Sequence, residues 1–374
     1  LVENSKNDPF GFFDLCKEAK LTLLPVNLQE MIQYHGEGTE ISIQKAKVAF
    51  QSVLESAREL HEHFSDSLIP SGKGKDIPQA ESDLLSVFKS LVNQPKFQSI
   101  MNGFPLLWKS VERQIGSRLD ETSFEDWCEN AQKGTEHFLI REGILKFIEF
   151  LAVGLTIKFD TIVTSVQSNA HELIVETSQQ AYRAKKIIVT VPLGVLQRKE
   201  IDFSPPLPPW KMSAIQKLGV GLVNTVAMVF KESFWADFTV IGVAVGKEPF
   251  CIININKCTQ HPILLAVFTG NGAKEFENKT DAQLVEQIMQ FLNSEYEDAT
   301  SPKYSVVTRW DQDKYARGSH SFVRAGGSSE DRKNLAKPVG KIFFAGEATS
   351  CHSSIMGAFE SGIVAAKQIT QSKQ

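Results

Sequence analysis

The chain has 374 residues, of which 42% are hydrophobic and 22% are charged, and its formal net charge at pH 7 is −4. This composition is typical of a globular protein with room for two domains, and it excludes a disordered chain and a strongly basic nucleic-acid-binding protein. The longest apolar runs, at residues 187–195 and 263–268, have the length of strands, which excludes a membrane-spanning helix of about 20 residues.

The five cysteines are scattered and odd in number. They favour free thiols in a reducing, intracellular compartment over a disulfide framework, with the cytoplasm as the first expectation and the peroxisome and the nucleus as alternatives. No Cys-x-x-Cys or His-x-x-x-His spacing occurs, so no metal site is expected. The first residue is Leu rather than Met, which indicates a fragment or an incomplete gene model.

The N-terminal part of the chain is predicted to be mainly helical. Apolar residues recur at helical spacing at residues 12–19, 42–64, 81–119 (with breaks), 123–128 and 143–152. A short strand is predicted at residues 21–24, and a loop rich in Gly, Ser and Lys at residues 65–77. Ser123 is the candidate N-cap of the helix that follows it.

Near residue 155 the pattern changes to short β-rich runs between polar turns. Strands are predicted at residues 155–159, 162–167, 172–176, 184–191, 224–230, 240–245, 250–256, 263–268, 306–310, 319–322 and 342–345. Helices are predicted at residues 210–217 and at residues 281–293, the second with Thr280 as its N-cap. The chain therefore combines α/β and α+β portions.

The C-terminal strand ends at Gly346 and Glu347, and a new helix is expected to begin near Ile355 after a polar loop. Gly346 allows a ligand to approach the backbone closely, and the unpaired N–H groups of a helix N-terminus favour anionic or electron-rich ligands. Spacing alone slightly favours the other interpretation, an ordinary strand-to-helix crossover capped by Ser and Thr.

Three separated motifs in this order resemble the flavin amine oxidases. Residues 344–349 (FAGEAT), with Gly357-Ala358 and Ser361-Gly362, resemble the family's C-terminal FAD-contacting motif. Residues 186–196 (KIIVTVPLGVL) resemble its strand and crossover, and residues 308–322 (TRWDQDKYARGSHSF) resemble its segment near the substrate. The resemblance runs from about residue 7 to the end and is closest to the polyamine oxidases and lysine-specific histone demethylases.

The resemblance implies two domains. The first is an incomplete FAD-binding domain (Rossmann-like, of glutathione-reductase type) at residues 1–30, 146–200 and 323–374. The second is a substrate-binding domain of helices on a mixed β-sheet, at residues 31–145 and 201–322. The family opens with a βαβ unit bearing Gly-x-Gly-x-x-Gly, which this sequence lacks: neither Gly219-x-Gly221 nor Gly270-x-Gly272 continues the pattern. The loop that cradles the pyrophosphate is therefore missing from this sequence.

The resemblance also implies the chemistry, with FAD as cofactor and a small amine and oxygen as reactants. An amine C–H gives a hydride to the flavin, water hydrolyses the resulting imine, and oxygen reoxidises the flavin with release of hydrogen peroxide. No nucleic acid or membrane partner is implied.

The cofactor-binding residues are carried over from the matching motifs. Glu347 would bind the ribityl or ribose portion, the backbone N–H of Ile355 the isoalloxazine ring, and the backbone of Val163 the adenine. The remaining positions are Thr190, Val191 and Pro192 along the dinucleotide, Trp310 and Tyr315 along the flavin ring, and Gly346 at the strand end. The alternative interpretation is strand core for Val163 and Val191, and core aromatics for Trp310 and Tyr315.

Two positions depart from the family pattern. Thr225 stands where the family usually has a lysine that is bridged by water to the reactive flavin nitrogen. The walls of the aromatic cage around the substrate amine map to His320 and Ser354, and a protonated His320 would repel an ammonium. These departures support a second hypothesis, an amine-oxidase-like domain with impaired catalysis that binds a ligand or partner. A chromatin module is a third hypothesis, which the low basic charge disfavours.

Overall fold

The computed structural model describes residues 2–4, 8, 10–26, 31–35, 55–56, 59, 83–92, 111–131, 136–243 and 249–371. Nearly all of the predicted helix at residues 42–64, the predicted loop at 65–77 and the middle of the predicted helical stretch at 81–119 lie outside these residues. None of the described helices is long and apolar enough to cross a bilayer. Four cysteines, Cys16, Cys251, Cys258 and Cys351, are free thiols.

The strands of the described residues fall into several sheets. They are β1 (Val2–Asn4), β2 (Leu23–Val26), β3 (Met31–His35), β4 (Glu136–Ile140), β5 (Val163–Ser168), β6 (Leu173–Thr177), β7 (Ala181–Ala184), β8 (Ile187–Val189), β9 (Asp202–Ser204), β10 (Leu218–Gly221), β11 (Val223–Val229), β12 (Val240–Val243), β13 (Phe250–Asn254), β14 (Ile263–Thr269), β15 (Tyr304–Val307), β16 (His320–Val323) and β17 (Ile342–Phe344).

The helices lie between and after these strands. They are α1 (Phe12–Glu18), α2 (Leu84–Val92), α3 (Phe124–Ala131), α4 (Ile144–Leu151), α5 (Leu193–Gln197), α6 (Pro209–Lys217), α7 (Asn256–Thr259), α8 (Gly270–Glu277), α9 (Asp281–Glu295), α10 (Ser329–Ala336) and α11 (Ile355–Gln371). Residues 111–115 are also helical, and 3₁₀ turns form at Leu119–Glu121 and Glu347–Thr349.

The larger part of the core lies on one face of a six-stranded mixed sheet. Its order is β15-β11-β14-β13-β12-β3, in which only the β12–β3 pair is parallel. Buried residues of this sheet pack against apolar residues of α8 and α9. The hydroxyl of Thr280 accepts a bond from the backbone N–H of Gln283 at 3.3 Å, so the predicted N-cap of α9 is confirmed. The predicted mixed sheet with helices is confirmed.

A second core cluster joins an α/β portion. Here β8 and β17 form a parallel pair, and a separate sheet has the order β7-β6-β5-β9. Buried side chains of both, including Val166, Val189 and Phe344, pack into one cluster with Leu193 and Leu335 of helices α5 and α10. The predicted combination of α/β and α+β portions is confirmed.

Two strand predictions are wrong, and a third is shifted, since β15 covers Tyr304–Val307 instead of residues 306–310. The strand predicted at 184–191 is two segments, because a turn at Lys185 and Lys186 separates β7 from β8. Residues 155–159 form no strand, and Phe159 is 78% exposed. No described strand lies beside this segment, so its backbone N–H and C=O groups lack the partners that stabilise a strand.

Lys211 of α6 is completely buried and caps the C-terminal end of α10. Its ammonium group donates hydrogen bonds to the carbonyl oxygens of Asn334 at 3.0 Å, of Leu335 at 2.6 Å and of Lys337, and it lies 4.0 Å from the ring centroid of Phe344. These carbonyls are among the groups that the end of a helix leaves unpaired. Lys211 therefore fastens α6 to α10 and to the strand that leads into Gly346.

Lys211→Met is expected to lower the free energy of unfolding by about 2 kcal/mol, since one buried and two partly buried carbonyls lose their donor while the cost of burying an ammonium disappears. Burial, with a smaller contribution from Lys337, lowers the pKa of Lys211 from 10.5 to about 7. Between these two values the unfolded chain binds more protons than the folded protein, so the Lys211 contribution to stability grows as the pH rises from 7 to 10.

Urea unfolding of wild-type protein and Lys211→Met at pH 7, 8.5 and 10 measures both effects. The stability gap between them should widen with pH. The exposed Lys333→Met on α10 is the control, and a gap that narrows with pH would contradict this assignment.

Candidate functional site

Two sets of predicted residues meet at the carboxyl ends of β8 and β17. The backbone N–H of Ala345 bonds to the carbonyl of Val189 at 3.0 Å, so the two strands leave the sheet side by side. Residues 190–192, which contain Thr190, Val191 and Pro192, follow β8, and Gly346 and Glu347 follow β17. In open α/β sheets the crevice outside the carboxyl ends of the strands is the usual ligand site.

Gly346 occupies a backbone conformation that favours glycine, with φ 126° and ψ 169°. Among the described residues outside its chain neighbours, a Cβ at this position would contact only the carbonyl oxygen of Thr190, at 3.8 Å. The N–H of Gly346 bonds to the hydroxyl of Ser361 at 2.8 Å, which fastens the turn to α11. The open side of Gly346 therefore allows a ligand to approach the backbone between the two strand ends.

The carboxylate of Glu347 is held by β16. The backbone N–H of Ser321 donates to it at 3.1 and 3.2 Å, and the hydroxyl of Ser321 donates at 2.7 Å. Glu347 is half-buried. The carboxylate is therefore anchored to Ser321 and connects the C-terminal turn to the strand that begins with His320.

The N-terminus of α11 lies beside this turn. Ser354 is its cap, because the Ser354 hydroxyl accepts a bond from Gly357 N–H at 3.1 Å and its carbonyl accepts one from Ala358 N–H at 3.0 Å. Ile355 begins the helix, and its N–H has no acceptor among the described residues. An available N–H at this end of a 17-residue helix suits an electron-rich ligand. The hydroxyl of Ser354 is already used in the cap, so its part in a substrate wall stays a prediction.

Trp310 and Tyr315 are not core aromatics, since 40% and 56% of their surfaces are exposed. Their segment is fixed by backbone bonds: Trp310 N–H donates to the side-chain oxygen of Asn224 at 3.1 Å, and Gly318 N–H donates to the Trp310 carbonyl at 2.8 Å. The core-aromatic interpretation is therefore wrong. Both rings are therefore available for contact with a ligand.

Thr225 lies on the half-buried face of β11, opposite the face that packs against α8 and α9. Its N–H donates to the hydroxyl of Thr308 at 2.9 Å, and its carbonyl accepts from Thr308 N–H at 3.1 Å. The strand pairing places Val267 beside it. The structure thus connects Thr225 directly to the loop that carries Trp310.

His320 lies near the same face of the sheet. A Cβ on Gly116 would be 2.9 Å from Nε2 of His320 and 3.1 Å from Cγ2 of Val223, so both side chains border this glycine. Val223 and Thr225 are two residues apart on one strand and therefore share a face. His320 and Thr225 thus border one partly apolar surface of the large sheet.

Val163 begins β5, which belongs to another sheet than β8. It is half-buried and, like Val191, packs against the cluster that contains Val166 and Val189. This packing supports the strand-core interpretation of their side chains and leaves their backbones as the groups that a ligand could contact.

Sequence reasoning missed Arg332, Ser321 and Ser353, which lie together beside Glu347. Ser321 lies inside the motif at residues 308–322, whose predicted site residues are Trp310, Tyr315 and His320 but not Ser321. Arg332 lies in α10, which is polar and lacks the apolar periodicity that would have predicted this helix.

Comparison with protein-family models matches residues 12–370 to the family described as flavin containing amine oxidoreductase. Polyamine oxidase 4 from Oryza sativa subsp. japonica is 33% identical over 332 residues, which is 86% of this chain and 68% of that protein. Polyamine oxidase 5 from the same organism is 35% identical over 69% of this chain and 53% of its own length. Human lysine-specific histone demethylase 2 is 32% identical over 79% of this chain and 38% of its own length.

Solved structures show the same fold. Cyclohexylamine oxidase from Brevibacterium oxydans IH-35A superimposes with a TM-score of 0.75 over 99% of this chain and 90% of its own, at 16% identity. A triple mutant of putrescine oxidase gives a TM-score of 0.72 over 99% and 88% of the two chains, also at 16% identity. The chain therefore spans most of the length of these two structures. Of the three curated relatives above, it spans 68%, 53% and 38% of the length.

Proposed function

Because this chain belongs to the flavin-containing amine oxidoreductases, with FAD as the cofactor, we propose that it oxidises a C–N bond of a polyamine or a related small amine. The two rice polyamine oxidases support the substrate class. The histone demethylase relatives support a second substrate class less strongly, namely a peptide that contains a methylated lysine. As the chain spans only part of these relatives, the activity belongs to the whole protein.

The residues present fit the flavin end of FAD. Gly346 leaves its backbone open, Glu347 supplies a held carboxylate for hydroxyl groups, and Ile355 offers an N–H at a helix terminus. Trp310 supplies an exposed ring and lies two residues after Thr308 in the chain. The hydroxyl of Thr308 accepts a hydrogen bond from the backbone N–H of Thr225. The donors that the pyrophosphate needs in a Gly-x-Gly-x-x-Gly loop are not in this sequence. We assign residues 1–30, 146–200 and 323–374 to the FAD-binding domain, and residues 31–145 and 201–322 to the substrate domain.

FAD, when bound, would supply the acceptor for the hydride that leaves the carbon beside the amine nitrogen. The chain's own residues position the amine and exclude water. Val223, Val267 and the ring of His320 supply an apolar wall, which favours a neutral amine over an ammonium. Thr225 has a hydroxyl that can hold one water molecule, but it brings no positive charge to that face.

Coupled peroxide detection tests the activity. The protein expressed from its complete coding sequence is incubated with FAD and with spermine, N-acetylspermine, putrescine and a dimethyl-lysine peptide in turn. Peroxide release with spermine or N-acetylspermine supports the proposal. Release with the peptide alone would move the substrate class to modified lysines.

A second candidate function is binding without turnover, and the observation that favours it is Thr225 in place of a cation on the substrate face. In that case the protein takes up FAD and binds spermine, seen as a perturbed flavin spectrum. It then releases no peroxide and shows no bleaching of the flavin under anaerobic conditions.

A further inference from the structure

Arg332 is almost completely buried, with 4% of its surface exposed, and is connected to the carboxylate of Glu347 through the hydroxyl of Ser321. One of its terminal nitrogens, Nη1, donates to the hydroxyl of Ser321 at 2.7 Å, and the other, Nη2, donates to the hydroxyl of Ser353 at 3.0 Å. Its Nε lies 3.8 Å from Oδ1 of the buried Asp126. The guanidinium is thus fixed from several sides, by β16, α3 and the C-terminal loop.

The direction of these hydrogen bonds follows from the number of protons that each group can donate: one for each serine hydroxyl, and only donors on the guanidinium. The Ser353 hydroxyl donates its single proton to the Ser321 carbonyl at 2.6 Å, so it cannot also donate to the Ser321 hydroxyl. Arg332 can only donate, and therefore the Ser321 hydroxyl accepts from it. The proton of that hydroxyl is then available for Glu347, 2.7 Å away. A directed chain runs from the guanidinium through one hydroxyl to the carboxylate.

The chain of bonds also joins parts that are distant in sequence. Ser321 follows His320 on β16, Ser353 precedes the cap of α11, and Arg332 itself lies on α10. The hydrogen bonds from Ser321, itself held by the Arg332 guanidinium, restrict the rotation of the Glu347 carboxylate. The turn that carries Gly346 and Glu347 is therefore held in one orientation before any ligand arrives.

We propose that Arg332 is a positioning residue for FAD: through Ser321 it orients the carboxylate of Glu347 toward the hydroxyl groups of the cofactor's ribityl or ribose portion. This inference rests on the proposed function, because it assigns a role to Arg332 only in a protein that binds FAD. Arg332 acts through Ser321 and does not itself touch the cofactor.

The test is the dissociation constant of FAD, measured by quenching of flavin fluorescence as apoprotein from the complete coding sequence is titrated. Arg332→Met and Ser321→Ala are each expected to weaken FAD binding about tenfold. The double variant should be little weaker than either single variant, since both break the same chain of bonds. Lys333→Met, on the exposed side of α10, is the matched control and should bind FAD like the wild type.

A purely structural role would give a different result. It would lower the melting temperature of the apoprotein in Arg332→Met without changing the affinity of the folded fraction for FAD, and the two substitutions would act additively. Either finding overturns the inference. If Arg332→Met does not fold, Ser321→Ala together with Arg332→Lys decides the question, because Lys cannot donate to both hydroxyls with fork geometry. Failure of the wild-type protein to bind FAD would instead overturn the proposed function.

Discussion

Replacement of Glu347 by Ala is expected to weaken FAD binding by about a hundredfold. The carboxylate is half-buried and already oriented by Ser321, so it can accept charge-assisted hydrogen bonds from hydroxyl groups without further ordering. A hydrogen bond to a charged group contributes about 1.5–3 kcal/mol, and about 1.4 kcal/mol corresponds to a factor of ten in affinity. Two such bonds account for the expected loss.

Fluorescence titration of the apoprotein with FAD measures this effect. Glu330→Ala is the control, because Glu330 is an exposed acid of α10 whose partners are Lys333 and Lys337. Glu347→Gln should lie between the wild type and Glu347→Ala, since the amide oxygen still accepts but carries no charge. Equal affinities for the wild type and Glu347→Ala would remove Glu347 from the site.

Replacement of Thr225 by Lys is expected to accelerate the reduction or the reoxidation of the bound flavin by about ten- to a hundredfold. Negative charge develops on the flavin as it accepts a hydride, and an ammonium fixed at this face stabilises that charge. Position 225 is half-buried and borders the surface shared with His320, so a lysine there can keep its charged end at the cofactor side.

Stopped-flow spectroscopy separates the two half-reactions. Anaerobic mixing with spermine gives the rate of flavin reduction, and mixing of the reduced protein with oxygen gives the rate of reoxidation. Thr225→Met is the matched control, because it adds length without charge. Rates in Thr225→Lys equal to those in Thr225→Met would count against a role for charge at this position.

Much of the second half of the fold could be predicted from the sequence, because local pattern and long-range packing agree there. Strands β11, β13 and β14 alternate or run apolar between polar turns, and each is found within two residues of its predicted bounds. The capping box of α9 is a local signal, so Thr280 was identified correctly.

Secondary-structure prediction failed for segments whose structure depends on pairing or packing with another part of the chain. Residues 155–159 have strand composition, but no described strand pairs with them, and their apolar side chains are exposed. Helix α10 is the opposite case, because its polar sequence does not predict a helix and the structure contains one. It has little apolar periodicity, yet Arg332 and Leu335 bury it against the rest of the fold.

The candidate site could be predicted in part, and only through the family motifs. These motifs identified Gly346 and residues 190–192, which meet at the carboxyl ends of two parallel strands. They did not identify Arg332, which approaches Glu347 through Ser321. This contact joins side chains from α10, β16 and the turn after β17. These segments are distant in sequence, so no regular residue spacing predicts the contact.

The most direct test of the account is the visible absorbance spectrum of the purified protein, expressed from its complete coding sequence and dialysed after incubation with FAD. The account predicts the visible absorbance bands of oxidised flavin, at about 1 flavin per chain, retained after dialysis and released on unfolding. A folded protein that remains colourless under these conditions would contradict the claim that the turn at Gly346 and Glu347 holds FAD.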